Sequence, residues 1–168
     1  AWFVEGKSRA VAEGGFDEAG EIRAERFSVD GVWNEEIRAN AISFAPDGSV
    51  ASVRFEPPLD VTEREPVADA LRQGPDPLSI VIAAARSLPD AATNRTAESF
   101  DGKRAMRFGW TCAAETEPFE NDVYAGPVYE CAVEGEQIAG FHRKYRNSNL
   151  NPPRPARLWL APVDGGAF

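Results

Sequence analysis

The chain has 168 residues, of which 43% are apolar and 27% are charged, and its formal net charge is −9. These proportions exclude a disordered chain and a collagen-like one, and the acidic charge excludes nucleic acid as an expected partner because it repels phosphate backbones. The length predicts a single domain over residues 1–168 with one packed core.

The start of the chain suggests a processed or truncated product. It begins at Ala1-Trp2-Phe3 without a methionine or an apolar leader, so any export signal would lie upstream. The longest apolar run, Leu78–Ala85, is broken by Ser79 and is far shorter than the roughly 20 residues that cross a bilayer, so no transmembrane segment is expected in this chain.

Short segments of strand length, separated by glycine, proline and Asp-Gly turn signals, predict an antiparallel meander. The alternation is clearest where Met106, Phe108 and Trp110 share one face of a strand while Arg107 and Gly109 share the other. Strands are predicted over Trp2–Ala12, Glu21–Val29, Trp33–Phe44, Val50–Phe55, Lys103–Cys112, Val123–Val133, Ile138–Tyr145 and Arg157–Ala161.

One helix is predicted in the middle of the chain, over Asp76–Leu88, after a short helical turn from Pro66 to Leu71. Asp76 suits the N-cap and Pro77 suits the first helical position. Apolar residues surround most of this helix and leave only Ser79, Arg86 and Ser87 to face water. Its expected buried side chains are Leu78, Val81, Ile82 and Ala85.

These elements predict a mainly β fold, in which a curved antiparallel sheet, either a meander or a partial barrel, wraps around one central helix. The favoured interpretation of that helix is a plain core element. A wall of a lipid pocket is the alternative.

The two cysteines, Cys112 and Cys131, predict one disulfide bond if the compartment is oxidising. The midpoint between them falls at Asn121-Asp122, where a hairpin that pairs the cysteines across neighbouring strands would reverse. The alternative is a pair of reduced, buried thiols.

No motif in the sequence indicates a catalytic, cofactor-binding or metal-binding site. His142 is the only histidine, and the cysteines form no CxxC pair, so neither a zinc site nor a thioredoxin-type site is indicated. Phosphate-binding glycine loops and the GxSxG and HExxH motifs are missing. Carboxylate pairs such as Glu35-Glu36 are more typical of a solvated face than of an acid–base couple. We expect no enzyme and no cofactor, and a carboxylate-based hydrolase is the weaker alternative.

Five short motifs occur in order: DPLS at Asp76–Ser79, FDGKR at Phe100–Arg104, YAGPVYEC at Tyr124–Cys131, IAGF at Ile138–Phe141 and LWLAP at Leu158–Pro162. Together they resemble a family of exported proteobacterial proteins known only as a domain of unknown function, from about Ala10 to the end of the chain. The resemblance implies a periplasmic, sheet-rich protein and supplies no activity. Family members often carry a cysteine shortly before the FDG motif, where this chain has Thr93–Thr96. Members also tend to have further strands before Ala1 and after Phe168, so the resemblance implies that this chain lacks terminal strands of a longer protein.

One stretch of the acidic chain is basic, because residues 137–163 contain five cations and no Asp or Glu. The first interpretation is that this segment lies against the acidic remainder of the domain. The alternative is an exposed contact for an anionic partner, either lipid head groups or an acidic protein face. The candidate partner-binding residues are Phe141, Arg143, Lys144, Tyr145, Arg146, Arg154, Arg157 and Trp159.

These observations favour a non-enzymatic envelope protein that acts as a binding or interaction module in the periplasm. One form of this hypothesis is a subunit docked on a membrane complex through a protein partner. The alternative is a carrier of an apolar or lipid ligand in a cavity of the curved sheet, by analogy of fold alone.

Overall fold

The computed structural model describes residues 6–33, 35–88, 95–113, 116–145 and 154–161, without the side chains of Trp33, Tyr145 and Arg154. Within these ranges the chain forms nine strands, one α-helix and three short 3-10 helices. The strands make two antiparallel sheets that do not close into a barrel. The predicted mainly β fold, with antiparallel strands and one helix, is confirmed. The strands are divided between two sheets and do not form a single one.

The first sheet is a meander of β1 (Gly6–Phe16), β2 (Ile22–Trp33), β3 (Glu36–Phe44) and β4 (Val50–Glu56) in that order. Phe27, Ile42 and Val53 are opposite one another in the register of β2, β3 and β4. Because cross-strand partners point to the same side of a sheet, they define its inner face. Ile42 is fully buried there, and Ala24 and Phe44 complete the buried cluster.

The second sheet consists of β5 (Arg95–Phe100), β6 (Ala105–Cys112), β7 (Glu117–Glu120), β8 (Ala125–Ala139) and β9 (Arg154–Leu160). Its longest strand, β8, is central, since β6 and β9 both pair with Cys131–Gly135. β7 forms a hairpin with the beginning of β8, and the Asn121 side chain accepts hydrogen bonds from the backbone of Val123 and Tyr124 in the turn. The predicted reversal near Asn121 is therefore confirmed.

The helix α1 (Pro77–Arg86) lies between the sheets and contacts β1, β2 and β5. The buried carboxylate of Asp76 caps it by accepting hydrogen bonds from the backbone N–H groups of Leu78 and Ser79. The predicted cap is confirmed, and the helix ends two residues before Leu88. Neither α1 nor any 3-10 helix in the described part of the chain has the length and apolar composition that a membrane crossing requires.

The buried side of α1 differs from the predicted one. Ala85 is buried as expected, whereas Leu78, Val81 and Ile82 are only half-buried. Because apolar residues surround most of the helix, their spacing alone could not select the buried side. The apolar side chains that are buried on and just after α1 are Ile80, Ala84, Ala85 and Leu88.

Ser79 was expected to face water, and that expectation is wrong. Ser79 is fully buried, and its hydroxyl group donates a hydrogen bond to the Asp76 carboxylate. A buried hydroxyl costs little when it is hydrogen-bonded, which is why a polar residue can stand on the inner side of the helix.

Two predicted strands near the C-terminus form a single element. The predicted strands Val123–Val133 and Ile138–Tyr145 are replaced by β8, which runs through to Ala139. The second of these predictions is wrong, because the backbone of Gly140 has a φ of 74° and leaves the strand, and a 3-10 helix over Arg143–Tyr145 follows. Strands β5 and β7 were not predicted.

Gly140 is required both by its backbone conformation and by its surroundings. A Cβ at this position would overlap the backbone oxygen of Lys103. We expect Gly140→Ala to lower the free energy of unfolding by about 2 kcal/mol, because strained backbone and steric overlap add together. Urea unfolding of the purified variant measures this change.

A matched control separates the two causes of that loss. Gly48 also has a positive φ, at 80°, but a Cβ there would have no atom within 4 Å. Gly48→Ala should therefore cost only about 1 kcal/mol, the penalty of the left-handed conformation itself. Equal losses for both variants would contradict the overlap at Gly140.

Candidate functional site

The candidate partner-binding residues do not form one surface. Phe141, Arg143, Lys144 and the backbone of Tyr145 follow the end of β8, whereas Arg157 and Trp159 lie on β9. Trp159 is opposite Glu130, ten positions before Gly140, so the two groups are about 30 Å apart along β8 at the usual rise of a strand. Arg146 and the side chains of Tyr145 and Arg154 lie outside the described residues.

The group on β9 has acidic partners within the domain. Arg157 forms an ion pair with Glu130, with an N–O distance of 2.8 Å. The indole N–H of Trp159 donates to the carboxylate of Glu117 at 2.7 Å, although the ring is 47% exposed. These contacts fit the interpretation that this half of the basic segment serves the acidic domain itself.

The other group lies against the chain around Arg64. The Arg64 guanidinium donates to the backbone oxygen of Gly140 at 3.0 Å, and Arg143 Nε donates to the backbone oxygen of Arg64 at 3.1 Å. The N–H of Glu65 donates to the oxygen of Phe141. These bonds hold the first half of the basic segment beside the turn between β5 and β6. The backbone of Gly140 approaches Lys103 in that turn, which carries further cations.

That turn connects β5 to β6 and is held by Asp101. One oxygen of this buried carboxylate accepts from the N–H groups of Lys103 and Arg104, and the other forms an ion pair with Arg104 at 2.6 Å. Gly102 has a φ of 94° and approaches the inner face of the first sheet, where a Cβ would press against Val53 and Phe55. The turn therefore covers part of that face.

Beside the turn lies an open cleft of about 480 Å³, which we call the turn cleft. Its floor is the uncovered part of the inner face of the first sheet. Prolines after β4 form one wall and the cations of the turn form the other. The turn cleft is lined by Phe27, Val29, Arg38, Asn40, Phe55, Pro57, Pro58, Leu59, Lys103 and Arg104, and also by the acidic residues Glu56, Asp60, Glu63 and Asp101.

Lys103 is the half-buried cation of the turn cleft. Within the described ranges its ammonium group has no hydrogen-bond acceptor and no carboxylate at ion-pair distance. Burial lowers the pKa of Lys103; the Asp101 carboxylate opposes this change, while the nearby guanidinium groups of Arg104, Arg64 and Arg38 add to it. Keeping Lys103 protonated in the folded chain therefore lowers the free energy of unfolding.

Asn40 presents the opposite kind of unmet hydrogen-bonding group. Its amide nitrogen donates to the backbone oxygen of Asp101 at 2.9 Å, whereas its Oδ1 atom is buried and accepts no hydrogen bond. Two of the carboxylates that line the turn cleft have cationic partners, since Asp101 pairs with Arg104 and Glu63 lies beside His142. The unneutralised ammonium group of Lys103 and the unused acceptor of Asn40 together suit an acidic group that carries a hydrogen-bond donor nearby.

The sequence did not reveal this cleft. Lys103 and Arg104 stood in a motif interpreted as a turn, and Arg38 and Asn40 lie more than sixty positions away in the chain. Adjacent cations after an Asp-Gly pair were the only available signal. Among the described residues, no three His, Cys, Asp or Glu side chains come together as metal ligands.

The predicted disulfide bond between Cys112 and Cys131 is present and joins directly opposed residues of β6 and β8. No family model, no curated protein and no solved structure matches this chain.

Proposed function

We propose that this chain is a non-enzymatic binding module of the bacterial cell envelope, which works in the periplasm as a subunit docked on a membrane complex. In this proposal the turn cleft receives an acidic side chain of a protein partner. The carboxylate would lie at Lys103, and the backbone N–H beside it would reach Asn40. The apolar floor around Phe27 and Phe55 would hold the neighbouring apolar side chain.

The observation that carries this proposal is the ammonium group of Lys103, which is half-buried and has no partner in the described part of the chain. An unneutralised cation in a cleft destabilises the fold, and proteins commonly keep such groups where a ligand neutralises them. The neighbouring guanidinium groups of Arg38 and Arg64 add positive potential to the same place.

The charge of the whole molecule favours a single acidic side chain over an anionic membrane surface. A net charge of −9 repels an extended anionic surface at long range. The ammonium group of Lys103 can still attract one carboxylate, since it acts over a few ångströms and solvent screens the more distant charges.

The compartment in the proposal rests on the disulfide bond and on the resemblance to exported proteins. Disulfide bonds persist in oxidising compartments such as the periplasm and are rare in the cytosol. The motifs at Asp76–Ser79 and Phe100–Arg104 correspond to the helix cap and to the wall of the turn cleft.

The test is the binding of a labelled peptide of alternating leucine and glutamate residues, measured by fluorescence anisotropy. Lys103→Gln should weaken binding at least about tenfold, because a hydrogen bond to a charged group contributes about 1.5–3 kcal/mol. Added salt should weaken binding to the parent chain. The variant should be no less stable than the parent, because it removes a cation that has no partner.

Lys7→Gln is the matched control, since Lys7 is an exposed lysine on β1 outside the turn cleft. It makes the same change of charge and should leave the affinity for the peptide unchanged. If both variants weaken peptide binding equally, the effect comes from long-range charge and the turn cleft is not the site. If Lys103→Gln binds the peptide as tightly as the parent, the proposal is rejected. Co-purification of a stoichiometric protein from native membranes, lost with Lys103→Gln alone, would identify the partner.

A further inference from the structure

A second cleft, distinct from the turn cleft, lies between the two sheets beside α1. We call it the inter-sheet cleft. It has a volume of about 750 Å³ and is bounded by α1, by the turn between β1 and β2, and by β5 and β6. Its apolar walls include Phe16, Ile22, Ile80 and Ala97. This size is within the range of small-molecule sites, which are mostly apolar and carry a few polar groups.

The first polar group beside the inter-sheet cleft is the indole N–H of Trp110, a residue that also lines the neighbouring cleft over β6, β8 and β9. This residue lines the cleft and is only 8% exposed, and its Nε1 atom is buried without a hydrogen-bond partner. An indole nitrogen can only donate, so the group that would satisfy it must be an acceptor. Buried donors without acceptors are rare in folded proteins because they lose their hydrogen bonds to water.

The second polar group is the guanidinium of Arg86, near the end of α1. Its central carbon lies 4.1 Å from the centre of the Phe16 ring, which holds the side chain beside the cleft. Within the described ranges it forms no ion pair and no hydrogen bond. Arg86 therefore presents a cation to the cleft that it lines.

The third polar group is Arg95, at the beginning of β5. Arg95 is directly opposite Trp110 in the register of β5 and β6, so both side chains emerge on the same face of the second sheet. Like Arg86, it has no ion pair and no hydrogen bond among the described residues. The one acidic residue that lines the cleft is Glu21, which is exposed and pairs with neither arginine.

We propose that the inter-sheet cleft binds one amphipathic anion. Its carboxylate or phosphate oxygens accept hydrogen bonds from Arg86, Arg95 and the Trp110 indole. Planar guanidinium groups match both headgroups, because each can offer two parallel N–H groups to two oxygens. The apolar body of the ligand lies against the apolar lining side chains Phe16, Ile22 and Ile80.

The test is titration calorimetry with three probes of equal chain length: dodecanoate, dodecyl phosphate and the neutral dodecanol. Arg86→Gln and Arg95→Gln should each weaken the binding of both anions at least about tenfold, because each variant loses one hydrogen bond to a charged group. Dodecanol should bind weakly and with the same affinity in all variants. The anion that binds more tightly indicates whether the natural headgroup is a carboxylate or a phosphate.

Arg9→Gln is the matched control, since Arg9 is an exposed arginine on β1 that does not line the cleft. It should leave all three affinities unchanged. Binding of dodecanol as tight as that of dodecanoate, or anion binding that survives both Arg86→Gln and Arg95→Gln, would overturn the proposal. If Arg86→Gln lowers the thermal stability because its contact with Phe16 is lost, the anion affinities of Arg95→Gln alone test the proposal, since Arg95 is exposed.

A spectroscopic measurement reports on the donor that is not a cation. The indole N–H resonance of Trp110, assigned by its disappearance in Trp110→Phe, should move downfield when dodecanoate is added. An unchanged resonance at saturation would contradict the predicted hydrogen bond. Because Lys103→Gln lies in the other cleft, it should leave dodecanoate binding intact, so this proposal and the turn-cleft proposal can fail separately.

Discussion

Removal of the Cys112–Cys131 disulfide bond is expected to lower the free energy of unfolding by about 3 kcal/mol. The bond closes a loop with a sequence separation of 19, and in the chain-entropy model a loop of this size restricts the unfolded chain by that amount. Both cysteines are buried in the core of the second sheet. The loss would be a large share of the marginal stability of a domain of this size.

Urea unfolding of the double variant Cys112→Ala, Cys131→Ala measures this loss. The parent protein kept in reductant is the control, since it removes the crosslink and retains both side chains. Similar midpoints for the variant and the reduced parent would assign the effect to the crosslink. Labelling of two thiols in the unfolded, unreduced parent would show that the bond is missing and would contradict the prediction.

Ile80→Ala is expected to lower the free energy of unfolding by about 2–5 kcal/mol. Ile80 is 4% exposed and packs in the cluster that joins α1 to the second sheet. Truncation removes buried apolar surface and leaves a cavity, because close-packed neighbours relax only in part.

Ile82→Ala is the matched comparison, two positions along the same helix. Ile82 is half-buried and belongs to neither buried cluster, so its truncation should cost distinctly less than that of Ile80. Both changes alter helix propensity equally, and the difference therefore measures burial alone. A greater loss for Ile82 than for Ile80 would mean that the helix turns the Ile82 side, and not the Ile80 side, towards the core.

Local signals in the sequence predicted the features that local chemistry determines. The cap at Asp76 and Pro77 depends on residues adjacent in the chain, and the disulfide bond follows from the reversal near Asn121. The burial of α1 was harder to predict, because a helix that is apolar on most sides can turn more than one side inward.

The length of β8 could not be read from its sequence, since Glu134-Gly135-Glu136 has the composition of a turn. In the fold, Gly135 instead provides space for the ring of Phe108, which lies 3.0 Å from the position a Cβ would take. Glu134 and Glu136 lie on the exposed face of the strand. Long-range packing thus overrides a local turn signal.

Neither cleft could be predicted from the sequence for the same reason. Lys103 and Arg38 line one cleft only because the turn after β5 covers part of the first sheet. Likewise, Arg86 and Arg95 line one cleft only because α1 is packed beside β5. Sequence patterns report periodicity within an element, whereas both clefts arise between elements that are distant in the chain.

The double pairing of β8 has a consequence for amide hydrogen exchange. Over Cys131–Gly135 the strand has β6 on one side and β9 on the other, so its backbone N–H groups are shielded from solvent along both edges. Opening of either neighbour alone leaves the other edge protected, and exchange along the whole stretch requires the sheet to come apart. The slowest amides of the protein should therefore lie in this stretch, and their exchange rates should approach those set by global unfolding.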